Sequence, residues 1–299
     1  MITSHPLFRL MKKTIDTIST DNLEKFQVYI GAGKLVTGEP MEDGYVDDLE
    51  TSGTTYLLEK PEGQPPAYDE FRLGGVKRYL PKTMAKAMSI TEEAMEDNKY
   101  KDAIKAANRL TASAYRTEDA DFASILITAT TVVGGYDQVA LASSSHLTPS
   151  GQTVSNIASV YSSPSLPALI QAKAQLGLMP GPNGLPQPVM AKAIVCPLIQ
   201  EDVWNTLLKS EKVTGSNFND INIVKGYGLK VLPIYHLDGA STTMWGLKTD
   251  ADEGFKLFQK RKITNKSWVD NAADVMHYKV SYRNAQGWSN WRCWFQGQV

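Results

Sequence analysis

The chain has 299 residues, 42% of them hydrophobic and 21% charged, a composition that builds a buried core and excludes disorder, collagen-like repeats and solenoids. Thirty-one Lys and Arg stand against 32 Asp and Glu, so the basic excess that non-specific nucleic-acid binders use to release counterions is missing. Cys196 and Cys293 are the only cysteines, too few for a disulfide-stapled secreted fold, and both are expected as free thiols.

Residues 1–30 read as amphipathic helix, with Leu7, Leu10, Met11, Ile15 and Ile18 spaced by three and four. No apolar core precedes a cleavage site there, and no run elsewhere reaches the roughly 18 apolar residues of a membrane span. The expectation is a chain made and folded in cytoplasm. From Gly31 to Gly53 periodicity fades, and the acidic run Glu39, Glu42, Asp43, Asp47, Asp48 and Glu50 reads as a solvated loop. Two strand-like runs follow, Thr54–Glu59 and Val76–Ile90, separated by a stretch rich in Pro and Gly. They suggest a long hairpin whose tip is too long for a tight turn and reaches out from the body.

Thr91 before Glu92 and Glu93 is a helix start, with a capping hydroxyl and acids at the positive end of the dipole. From Asn98 a longer pattern runs through Tyr100, Ile104, Ala107, Thr111, Ala114, Phe122, Ile125 and Ala129, with Gly134 and Gly135 as its stop. At 1.5 Å per residue, a helix of about 30 residues spans ~45 Å and would serve as a spine. Residues 143–165, rich in Ser, Thr, Pro and Gly, suggest a boundary near 150.

Beyond it, Leu166–Leu178 and Gln200–Ser210 read as helices, and Met190–Cys196, Leu229–Tyr235 and Thr243–Leu247 as strands. Residues 255–295 read as strands with a turn at Asn284–Gly287. Trp288, Trp291, Trp294 and Phe295 do not alternate cleanly, which calls for a bulge or a covering element.

No catalytic, cofactor-binding or metal-binding residues emerge. The run Gly31-Ala32-Gly33-Lys34 lacks both the earlier glycine and the following Ser or Thr of a phosphate loop. Gly226 and Gly228 begin a dinucleotide-like pattern, but Val231 occupies its third glycine position, so a turn is expected. His5, His146, His236 and His277 are scattered without partners at metal-ligand spacing. The basic run Lys256, Lys260, Arg261, Lys262 and Lys266 reads as a solvated strand face or an ion-pair partner for a neighbouring subunit, more than as a DNA groove.

The order of these pieces, with the runs Asp137–His146 (DQVALASSSH), Gly181–Val195 (GPNGLPQPVMAKAIV), Pro197–Leu208 (PLIQEDVWNTLL), Asn219–Leu232 (NDINIVKGYGLKVL), Phe255–Arg261 (FKLFQKR) and the VSYRNAQGWSN run from Val280, resembles the major capsid proteins of tailed double-stranded DNA bacteriophages. The likeness covers nearly the whole chain. It implies an α+β fold with an N-terminal arm at 1–52 and an extended β-hairpin loop at 53–90 that lies over an adjacent subunit. A peripheral domain with the spine helix would comprise 91–150 and 253–299, and an axial domain 151–252.

The same resemblance implies a structural subunit without enzymatic turnover or cofactor. It would assemble with itself as hexamers and pentamers into an icosahedral head in the host cytoplasm and enclose DNA without sequence specificity. The arm begins close to Met1, so scaffolding is expected from a separate protein, with a portal and decoration proteins as further partners and no membrane. Some relatives form a Lys–Asn isopeptide bond; Lys60 lies on the hairpin here, but nothing selects an Asn partner. Two other readings stand beside this one: a cellular nanocompartment shell of the same fold, and an α+β enzyme whose site, in 151–252, exists only in the folded chain.

Overall fold

The computed structural model describes residues 35–53, 55–68, 73–97, 100–160, 163–213, 220–270 and 272–298. The expected amphipathic helix of 1–30 and the Gly31–Lys34 run lie outside them. Strands β1 (Gly38–Pro40), β2 (Val46–Thr51), β3 (Leu73–Tyr79) and β4 (Lys82–Thr91) lead into the short helix α1 (Glu92–Glu96) and the long helix α2 (Tyr100–Ile127). The two-residue strands β5 (Val133–Gly134), β6 (Val139–Ala140), β7 (His146–Leu147) and β8 (Thr153–Val154) precede helix α3 (Leu166–Gly177). Next come strand β9 (Ala191–Cys196), helix α4 (Glu201–Lys209), strand β10 (Lys230–Pro233), the single turn α5 (Tyr235–Asp238) and strand β11 (Trp245–Thr249). Strands β12 (Phe255–Asp270), β13 (Val275–Trp288) and β14 (Trp294–Gln298) follow. The fold is mixed α+β, as expected, and no helix among the described residues is long and apolar enough to cross a membrane.

The described residues fall into two compact units. The first lies within Met1–Val46, Tyr79–Phe122 and Lys256–Gln286. Its sheet has the order β1-β12-β13-β4, with β1 parallel to β12 and β4 antiparallel to β13 from Lys82 opposite Asn284 to Thr91 opposite Val275. Alternation along β13 turns Met276, Tyr278 and Val280 to one face, where Ala103, Ala107 and Leu110 of α2 pack on them. That spacing of four and three is one stripe of a helix. Inside this layer the Thr111 hydroxyl is 3.0 Å from the Tyr278 hydroxyl, and the Asn284 amide donates to Glu118 at 2.7 Å, so the buried polar groups have partners.

The second unit lies within Asp47–Arg78, Ala123–Phe255 and Gly287–Val299. Its sheet has the order β10-β9-β11-β14, parallel between β10 and β9 and antiparallel on either side of β11. Ser165 caps α3 by accepting from the Ala168 amide at 3.3 Å, with proline in the first turn. Helix α4 carries Glu201 and Asp202 at its start and Lys209 at its end, each matched to the dipole. Between helices and sheet, Trp204 and Trp245 lie with ring centroids 4.8 Å apart beside Ile194, Leu247 and Phe295. Gly246 and Gly297 face the indoles of Trp294 and Trp245 so closely that any side chain would overlap them. The register of β11 on β14 shifts between Trp245 and Gly246, the irregularity that the unevenly spaced tryptophans call for.

Several expected boundaries move. Residues 55–60 form no strand; the hairpin is made by β2 and β3. Its first arm lies in the acidic run read as a loop, because alternate positions there, Glu50 among them, turn inward. Helix α2 stops at Ile127, before Gly134, which lies in β5, and Gly135, which turns the chain at φ +69°. The reversal placed at Asn284–Gly287 lies inside β13: Asn284 pairs with Lys82 and its amide is bound to Glu118, so a turn-type residue is held extended. The chain reverses instead near Asp274, at φ +48°. The strand expected to reach Tyr235 ends at Pro233 and gives way to α5.

Candidate assembly surfaces

The hairpin is fixed at its base. Glu50 of β2 is buried, its carboxylate 3.8 Å from the guanidinium of Arg292, which is itself only 2% exposed. Burial raises the Glu50 pKa above its ordinary value, and the Arg292 charge only partly opposes that. The same desolvation lowers the Arg292 pKa. Arg292 is held further by its Nε donating to the Pro180 carbonyl at 2.9 Å and by the Trp291 ring 4.4 Å away.

Two glycines make this approach possible. A methyl at Gly74 would come within 2.7 Å of the Glu50 carboxylate, and one at Gly75 would overlap the Tyr136 carbonyl. Ser289 donates to Asp48, and the Lys77 ammonium sits 5.6 Å over the Trp288 ring. Outside, Arg78 grips Asp47 through two bonds of 2.7 and 2.6 Å and holds that carboxyl below its usual range.

Beyond this base the character of the chain changes. Residues 55–68 form no helix or strand and every one is exposed, with Leu57 at 100% and Leu58 at 75%. Tyr56, Tyr68 and Leu73 are exposed as well. A contiguous apolar segment held in water on a fixed root is the signature of a surface meant for a partner. Lys60 lies in the same exposed segment.

A buried polar cluster fixes the DQVALASSSH run. His146 is fully buried, with Nδ1 2.6 Å from the Asp137 carboxylate, Nε2 3.2 Å from the Asn156 side-chain oxygen, and its ring stacked 4.2 Å from Trp291. The Asn156 amide donates to the carbonyls of Leu141 and Trp294, at 2.7 and 3.0 Å, which fixes which way its oxygen faces. The cluster ties residues 137–156 to the final strand. Sequence spacing hid it, because the partners stand nine and ten residues away from His146.

Other residues singled out in the sequence are dispersed. Gly228 closes a 3-10 turn in the left-handed region at φ +66°. Cys196 and Cys293 are buried free thiols, each with its pKa pushed up to about 12, chiefly by burial. His277 stacks on Trp268, 5.0 Å between centroids. The basic run lies along β12, where Arg261, Lys262 and Lys266 are exposed and Lys260 bonds to the Glu42 carbonyl. Among the described residues no group of three or more His, Cys, Asp or Glu side chains is arranged to hold a metal ion.

A two-unit α+β subunit with a rooted, apolar outreach is the anatomy of a self-assembling shell protein, and comparison with solved structures finds that class. The capsid of Cyanophage P-SCSP1u matches with TM-score 0.56 and 10% identity, over 88% of this chain and 85% of that one. The virus-like particle from Pyrococcus furiosus matches with TM-score 0.53 and 10% identity, over 95% and 97%. The procapsid of bacteriophage JBD30 matches with TM-score 0.52 and 12% identity, over 99% and 76%. At such identities the likeness establishes the fold.

The sequence profile described as "Phage capsid protein" matches residues 75–296. The chain belongs to the phage capsid protein family and is a structural subunit of the capsid shell. A search of curated protein sequences finds no match.

Proposed function

We propose that this subunit closes with copies of itself, as hexamers and pentamers, into the icosahedral head of a tailed bacteriophage and encloses double-stranded DNA without reading its sequence. The observation that carries this reading is the exposed segment 55–68, anchored at Glu50, Gly75 and Lys77 yet covered by nothing in its own chain. Heterologous contacts of such a kind generate rings when their rotation closes. In this role residues 1–52 serve as arm, 53–90 as extended loop, 91–150 with 253–299 as peripheral domain, and 151–252 as axial domain. The role requires no turnover, cofactor or metal. Assembly in the host cytoplasm with a separate scaffolding protein, a portal and decoration proteins completes the reading.

The test is expression of the full chain, alone and with its scaffolding protein, followed by light scattering and negative-stain microscopy. Rings, capsomers or closed shells are expected. A compact monomer that stays monomeric with scaffolding present would overturn the proposal. The Pyrococcus furiosus particle favours a second reading, a shell of the same fold around a different content. Nuclease-protected DNA inside purified particles would support the phage head; a packaged protein without DNA would support the alternative.

A further inference from the structure

The second unit contains a largely apolar cavity of about 410 Å³ that its own chain leaves open. Leu169 and Leu176 of α3, Val189 and Leu247 of β11 form its floor. Its rim carries two cations and no carboxylate. Lys173 lies 4.0 Å over the ring of Tyr227, and Lys192 is 3.4 Å from Asp250, which stands outside the lining. Met190, 65% exposed, marks the mouth. The site asks for a ligand that is apolar at its end and acidic beside it.

The chain carries such a segment on its surface. In Tyr56-Leu57-Leu58-Glu59, two fully presented leucines precede an acid, and Glu62 adds a second against the single Lys60. Within one copy this segment does not occupy the cavity, since Leu57 touches nothing. The larger cavity of the same unit, about 740 Å³, is a poor receptor for it, because Glu50, Asp250, Asp252 and Glu253 line that space and repel Glu59. Charge and polarity therefore select one of the two cavities.

We infer that the loop of one copy docks in this cavity of a second copy, Leu57 and Leu58 entering between α3 and β11 and Glu59 facing Lys173. The inference rests on the shell reading and adds the receptor to it. In the assembled particle the docked leucines leave water and the Lys173 ammonium gains a carboxylate. The contact is heterologous, loop to cavity, so it propagates around a ring of copies.

The experiment places one thiol on each side in the full-length chain, Leu58→Cys with Met190→Cys, and oxidises assembled particles gently. Cys196 and Cys293, buried, stay silent. A reductant-reversible ladder of multimers is expected from the double variant and from neither single one. Particles that give no ladder, or that cross-link as readily from Leu58→Cys to Ile221→Cys on another exposed surface of the unit, overturn the docking and leave the shell role standing. Absence of particles from the unsubstituted chain with scaffolding overturns both. Should the cysteine variants fail to assemble, Glu59→Lys and Lys173→Glu decide. Each alone is expected to lower particle yield several-fold and the pair together to restore it, and unchanged yields from the single variants overturn the inference.

Discussion

The tryptophan core of the second unit and the loop at 55–68 hold the same kind of residue in opposite states. Trp204, Trp245 and Trp294 are wholly buried, and Gly246 and Gly297 are shaped to the indoles. Tyr56, Leu57 and Leu58 lie in water. A side chain such as leucine gains about 1.5–3 kcal/mol on full burial, so the core realises that gain within one chain whereas the loop holds it back until a partner arrives. Stability of the subunit and stability of the shell thus reside in different residues. Substitutions should separate them.

The largest separation is expected from Trp294→Ala, which removes a wholly buried indole that faces Gly246. Loss of such a side chain costs about 3–5 kcal/mol, measured as a fall in the urea midpoint of the unassembled subunit. Leu57→Ser with Leu58→Ser should leave that midpoint within ~0.5 kcal/mol, as surface changes do, while abolishing particles in the microscope. If the loop pair unfolds the subunit as Trp294→Ala does, the contrast between the two regions is broken. A middle effect is expected for Asn156→Ala. It strips partners from His146 and from the Leu141 and Trp294 carbonyls, at about 1–3 kcal/mol for each buried group left unpaired.

Excising the loop sharpens the same comparison and corrects a boundary. The sequence places the first arm of the hairpin at Thr54–Glu59 and suggests that removing 56–78 would spare the fold. In the structure Leu73–Tyr79 is a strand paired with Val46–Thr51, and Gly75, Lys77 and Arg78 anchor it. Removing 56–68 should leave a folded subunit with an unchanged circular dichroism spectrum that forms no shells. Removing 56–78 should lower the melting temperature as well.

What the sequence made legible follows from the reach of its signals. Helices α2, α3 and α4 and strands β9 and β11 announce themselves by periodicity over ten or so neighbouring residues. The arm of β2 does not, since Asp47, Asp48 and Glu50 look like solvent-facing acids until Arg78, Ser289 and Arg292 are seen beside them. Asn284 and Gly287 are turn residues by type, overruled by pairing with a strand some 200 residues earlier in the chain. The His146 cluster failed to show for the same reason: Trp291 and Trp294 reach it only through the fold. Family resemblance supplied the order of the pieces. Long-range pairing supplied the root of the hairpin, and no window of sequence contains it.

Glu50 offers the finest test of that root. Burial raises its pKa above the ordinary 4.5, so the folded subunit holds this proton more tightly than the unfolded chain does. Stability from this group is therefore full below the ordinary value, declines as pH rises through the raised one, and stays lower at neutrality. Glu50→Gln removes the titration; it also leaves Arg292 without its counter-charge, an offset that does not vary with pH over this range. Urea midpoints taken at about pH 4.5 and about pH 7 should fall more for the unsubstituted chain than for the variant, the difference being the smallest of the effects predicted here. Parallel changes would mean that Glu50 does not titrate in this window. A wild-type chain that gains stability toward neutrality, relative to the variant, would mean that attraction to Arg292 outweighs burial, and the hairpin would then be held by an ion pair instead of by a carboxylate pressed into an apolar root.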